Sequence, residues 1–127
     1  WRVPIDVFYN ESPGREYGKF QTDLSLIKRS RVNFQGWAIL DNCDVPEHIV
    51  ITFGEDNNFL AHTKPVLKSE HGRIGCGGKY VYSGWAVSVG GQGLSRAMGS
   101  RVIRAWAYDD KSNSLILLPN GPPFIDP

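Results

Sequence analysis

The residues in this chain that could do chemistry are few and scattered. Three histidines, His48, His62 and His71, fall at the start of a strand pattern, inside one, and in a polar stretch. None sits beside a Ser or Cys nucleophile at a recognisable elbow, and single imidazoles in such places read as polar surface. Asp41-Asn42-Cys43-Asp44 and Asp109-Asp110 gather oxygens that could hold a Ca²⁺ ion. They lack the spaced ligands and the Gly of an EF-hand loop, so solvated turn acids are the better reading. Gly90-Gly91-Gln92-Gly93 follows a strand pattern without a P-loop lysine, and the cluster from Gly75 to Gly78 says no more about phosphate. Two cysteines without a C-x-x-C spacing make no zinc site. The expectation is a non-enzyme with no metal and no cofactor.

What could position a binding site is a phrase used three times: Phe34-Gln35-Gly36-Trp37-Ala38-Ile39, Tyr82-Ser83-Gly84-Trp85-Ala86-Val87 and Ile103-Arg104-Ala105-Trp106-Ala107-Tyr108. Each puts a Trp between two tiny residues in a run of β-branched and aromatic side chains. In extended chain the Trp then points to one face and its small neighbours to the other. The three strands disagree about which face is buried. In the first, Val32, Phe34, Gly36, Ala38 and Leu40 share a face, which leaves Trp37 with Asn33, Gln35 and Ile39 near the surface. In the second, Val81, Trp85, Val87 and Val89 align, which buries the Trp. The third is split, with Ile103, Ala105 and Ala107 opposite Val102, Arg104, Trp106 and Tyr108. Aromatic burial dominates core energetics, so mainly structural Trp side chains are expected. Trp106, beside Arg104 and Tyr108, is the one expected to be most open to solvent.

Further strands are predicted at residues 5–9, 17–21, 48–53, 59–63 and 115–118. Gly54 to Asn58 is a hairpin turn, and residues 65–78 a long loop. Leu24 to Ile27 fits a strand or one helical turn, and Leu94 to Met98 is the one helix-like stretch. Short strands with frequent turn signals and almost no helix give an all-β sandwich, one domain over residues 1–127.

Composition narrows the partners. Fourteen Lys and Arg against thirteen Asp and Glu leave a formal charge of +1, which argues against nucleic acid. Lys28-Arg29-Ser30-Arg31 is a solvated strand edge rather than an anion site. Runs such as Leu115-Ile116-Leu117-Leu118-Pro119 are too short to span a bilayer, so no membrane insertion by this segment is expected. A start at Trp1, without Met or a signal sequence, reads as a piece of a larger protein. Cys43 and Cys76 lie in polar or Gly-rich stretches beside Trp strands, where they are either one disulfide or two free thiols.

Val32-Asn33-Phe34, Gly36-Trp37-Ala38, Ile49-Val50-Ile51, Ser83-Gly84-Trp85, Leu94 and Arg104-Ala105-Trp106-Ala107-Tyr108-Asp109 together resemble a bacterial immunoglobulin-like accessory domain. The resemblance covers residues 31 to 118 and departs from the pattern between Pro65 and Gly78. It implies an immunoglobulin-like antiparallel β-sandwich. Such modules attach to cell-envelope and glycan-handling proteins, usually without catalysis, in extracytoplasmic settings. Two functions follow as expectations. A carbohydrate-binding module would stack sugar C–H faces on Trp106 and Tyr108, fix hydroxyls through Arg104, and extend to Trp37 and Gln35 if the strands are neighbours. A structural or protein-interaction domain would instead dock other domains of the parent protein.

Overall fold

A computed structural model describes residues 1–23, 29–69, 81–91, 95, 99 and 102–120 of the chain. The described strands are β1 (Phe8–Asn10), β2 (Gly18–Asp23), β3 (Arg31–Ala38), β4 (Ile49–Phe53), β5 (Asn58–Thr63), β6 (Leu67–Ser69), β7 (Val81–Gly90), β8 (Ile103–Asp109) and β9 (Ser114–Leu118). They form two sheets, β1-β9-β8-β4-β5 and β2-β3-β7-β6. Every pairing is antiparallel except β1 with β9. The fold is all-β, as the alternating pattern predicts.

One core lies between the sheets. Phe20, Val32, Phe34, Trp85 and Val89 from the four-stranded sheet share a buried cluster with Ile49, Ile51, Ala105, Ala107 and Leu118 from the five-stranded sheet. Sheets that pack face to face stand about 10 Å apart, so bulk on one side needs small residues on the other. The large Trp85, Phe20 and Phe34 meet the small Ala105 and Ala107 within this cluster. Over β3 and β7 the first two Trp strands follow the expected alternation: Val32, Phe34 and Ala38 are buried with Trp37 part-exposed, while Trp85 is inside; just past β3 the pattern breaks, and Ile39, expected near the surface, is buried.

The third strand corrects the expectation. Trp106 is fully buried, although it stands on the outer face of its sheet. With Val50 and Leu115 it forms a second core, covered by Val3, Val7 and Tyr9 from the start of the chain. Tyr9 meets the Trp106 ring edge-on at 5.2 Å, and the indole Nε1 donates to Thr52 Oγ1 at 2.9 Å. Asn113, at φ 49°, ties this cover down. Its carbonyl accepts from Phe8 N (3.0 Å), its Nδ2 donates to Asp6 (3.1 Å), and its Oδ1 accepts from the Tyr108 hydroxyl (2.8 Å).

The predicted loop at 65–78 also needs correcting, since Leu67–Ser69 is a strand on the edge of β7. Residues 70–78 of that stretch lie outside the described residues. So do Leu24 to Ile27, and all of Leu94 to Met98 except Ser95, which is helical.

Glycine makes two of these pairings possible. A Cβ on Gly36 would overlap the Lys19 carbonyl of β2, and one on Gly84 would lie 3.0 Å from the Leu67 carbonyl of β6. The Gly of each Gly-Trp-Ala phrase therefore stands where a neighbouring backbone comes in close. Gly36→Ala is expected to lower stability by about 3 kcal/mol through forced displacement of β2. Gly84→Ala should cost less, because its neighbour needs to give only by tenths of an ångström. Urea unfolding of the two variants beside the parent checks the order.

Candidate functional site

The two sheets present their outer faces differently. The outer face of the five-stranded sheet carries the row His62, Val50, Trp106 and Leu117, which are register partners across β5, β4, β8 and β9. The opening segment of the chain lies over it. Trp1 stacks on His48 with ring centroids 3.9 Å apart and lies 5.0 Å from His62 and 5.3 Å from Tyr108.

The outer face of the four-stranded sheet carries a cavity of about 760 Å³, within the roughly 300–1,000 Å³ of ordinary ligand sites. Alternation puts Lys19 and Gln21 of β2, Gln35 and Trp37 of β3, and Gly84 and Ala86 of β7 on this face. One row across the sheet reads Lys19, Trp37, Gly84, Leu67; the next reads Gln21, Gln35, Ala86. Small residues on β7 thus lie low between Trp37 on one side and Leu67 on the other. At about 4.8 Å per strand, β3 and β6 stand nearly 10 Å apart, wide enough for a flat ligand. Asn120 closes the end beside β2, where it bridges to Phe20. The described lining holds an indole, side-chain amides and two ammonium groups, with no carboxylate, imidazole or thiol.

Of the five residues expected to bind a ligand, Trp37 and Gln35 line this trough. Trp106, Arg104 and Tyr108 do not, because β8 belongs to the other sheet and is no neighbour of β3. Trp106 is sealed, and Arg104 is engaged by the β4–β5 turn. Its Nη1 donates to Gly54 O and Asn57 Oδ1, both at 3.2 Å, and its Nη2 lies 3.5 Å from Glu55. Tyr108 packs over the second core and donates to Asn113. Cys43 is disulfide-bonded; Cys76 lies outside the described residues. The acidic loops meet at a smaller cavity, where Asp44 pairs with Lys111 at 3.0 Å, while Asp41 pairs with Arg15 at 3.1 Å. Among the described residues no three His, Cys, Asp or Glu side chains group to hold a metal, and no helix is long and apolar enough to cross a membrane.

The histidines hold what the sequence did not show. His48 is buried rather than a surface group, and its Nδ1 lies 2.7 Å from His62 Nε2. One ring donates and the other accepts, so the pair cannot keep this bond with both rings protonated. A bulge between Ile51 and Thr52 shifts β5 by one residue, which pairs His62 with Val50 and turns it to the side of His48. A regular hairpin would have aimed it into the inter-sheet core. Gln35 was legible as an outward position; Lys19 and Gln21 were placed on a strand without a face, and Leu67 and Lys68 lay hidden in the apparent loop.

No protein-family model matches this chain, and no curated protein or solved structure matches it. The site therefore stands on its own geometry.

Both imidazoles are held below their ordinary value of 6.5. For His48 burial is the main cause, followed by the charge of His62 and Lys64, with Glu47 opposing and the Trp1 amino group adding slightly. For His62 the causes are burial, then the Trp1 amino group and Lys64. The unfolded chain thus binds more protons below about pH 6.5, and stability falls as pH drops through the folded-state values. The urea midpoint should hold steady well above pH 6.5 and decline as pH falls below it. His62→Gln should flatten that decline relative to the parent.

Proposed function

We propose that this protein is a non-catalytic carbohydrate-binding module whose site is the trough on the outer face of the four-stranded sheet. The observation that carries this reading is Trp37 lining an open cavity between the amides of Gln21 and Gln35 and the low floor of Gly84 and Ala86. Sugar rings offer C–H faces to an aromatic wall and hydroxyls to amides, and concave sites combining the two are the general pattern for small ligands. Glycoside hydrolysis uses a pair of carboxyl groups flanking the bond, and the described lining supplies none.

An immunoglobulin-like topology is part of the proposal. The order β2-β3-β7-β6 corresponds to strands A, B, E and D of that fold, and β9-β8-β4 to G, F and C, with β5 extending the second sheet. A disulfide at Cys43 supports an oxidising, extracytoplasmic setting, where such a module would belong to a secreted or cell-envelope protein. A protein-docking role is the second reading. It is favoured by the exposed Leu67 and Tyr82 on the same sheet.

Titration against a panel of oligosaccharides tests the proposal. Weak, selective binding is expected, and Trp37→Ala should reduce it at least about tenfold, the scale of a lost aromatic contact, with circular dichroism and melting unchanged. Trp106→Ala should instead cost about 3–5 kcal/mol of stability. Absence of binding to every sugar, or full binding by the Trp37 variant, would sink the module reading and leave protein docking.

A further inference from the structure

We propose that His48 and His62 form a two-imidazole site for a divalent transition metal of the Cu²⁺ or Zn²⁺ class, on the outer face of the five-stranded sheet. The site is separate from the trough and does not rest on the carbohydrate reading. His48 immediately precedes β4, and its carbonyl accepts from Tyr108 N at 3.0 Å, which holds the backbone there. His62 stands in β5 opposite Val50, so the two imidazoles are diagonal neighbours on one face. Their nitrogens meet at 2.7 Å, their ring centres are 4.8 Å apart, and the ring planes are inclined at 42°. With metal–nitrogen bonds of about 2.0 Å, two imidazoles on one ion, in square or tetrahedral arrangement, hold their ring centres roughly 4.5–5.2 Å apart. The observed spacing falls inside that range. The nitrogens have to part only to about 2.8–3.3 Å, which small turns of the two rings supply without moving the strands.

The donors set the class of metal. Neutral imidazole nitrogen suits Cu²⁺, Zn²⁺ and Ni²⁺, whereas Ca²⁺ and Mg²⁺ require oxygen ligands. Imidazole is mostly neutral at about pH 7.5, the form that binds a metal, and burial favours that form in both rings. The ring that donates in the pair carries its proton on the nitrogen facing its neighbour. On binding, that proton moves through solvent to the other nitrogen of the same ring, and both facing nitrogens then present lone pairs. Trp1 leaves the approach clear, because it stacks on the face of His48 at 12° and 3.9 Å, while a metal binds at the ring edge. Among the described residues no third His, Cys, Asp or Glu joins the two, so water completes the coordination. Lys64 and the Trp1 amino group act on both rings as cations, and Glu47 opposes them at His48. These positive surroundings make the site a weak one.

The test is calorimetric titration of the full chain, free of any affinity tag, with copper, zinc and magnesium chlorides at about pH 7.5, where imidazole is mostly neutral. Cu²⁺ should bind most tightly, Zn²⁺ more weakly and Mg²⁺ not at all, the order that imidazole donors impose. His62→Gln should weaken Cu²⁺ and Zn²⁺ binding by at least about tenfold, since even groups one shell further out matter that much. His71→Gln, at a position outside the described residues, should bind as the parent does. Electron paramagnetic resonance of the parent with Cu²⁺ should show coupling to two imidazole nitrogens, a readout that depends on no variant. Zn²⁺ should also raise the melting temperature of the parent and not that of His62→Gln. Failure of the folded parent to bind either metal overturns the site, and so does Mg²⁺ binding as tightly as Zn²⁺. Copper held by the amino terminus alone would survive His62→Gln undiminished, which overturns it too. An equal loss in His71→Gln and His62→Gln would overturn the assignment to this pair.

Discussion

The dry indole of Trp106 is the constraint on which the outer half of the molecule depends. A buried Nε1–H without an acceptor costs free energy, and here Thr52 Oγ1 receives it. Thr52 reaches in turn toward Asn57 Oδ1 (3.4 Å), the atom that Arg104 also contacts. One chain of polar groups therefore fixes the indole and the left-handed Asn57 of the β4–β5 turn (φ 52°). Because the indole is satisfied from within its own sheet, the covering segment needs to bring only apolar side chains, and Val3, Val7 and Tyr9 do so.

This covering divides the labour between the faces. A sheet with one face in the core leaves the other to solvent, to a partner or to more of the same chain. The five-stranded sheet takes the third course and its outer face is closed. Among the described residues the four-stranded sheet has no such cover, and its outer face carries part-exposed Trp37 above a low floor of Gly84 and Ala86. Two Trp strands of similar wording thus have opposite fates for their outward indoles. The difference lies in what packs above them.

Strand alternation made much of this legible. It sorted β3 and β7 into correct inner and outer sets, and it placed Trp37 and Gln35 together on an outward face. It also sorted β8 correctly, with Trp106, Arg104 and Tyr108 on one side. What it could not supply was the cover, because periodicity says which residues share a face and not what lies over it. The histidine pair escaped for a different reason. Counting back from the turn at Gly54 puts His62 on the wrong side unless the bulge at Ile51 and Thr52 is known. The strand at Leu67 escaped because it is three residues long, and its pairing depends on a glycine in another strand.

That short strand has a further consequence. β6 meets β7 through an irregular register, with Leu67 opposite Gly84 and Ser69 opposite Val81, plus the Val66 amide bonded to the Gly84 carbonyl at 3.0 Å. Its described pairing is short and irregular, which makes it a cheap element to detach, and cheap elements open first. The far bank of the trough is thus more compliant than the indole bank, which sits on an eight-residue strand paired along both sides. One bank is stiff and the other yields, so the width of the trough is governed by a single edge.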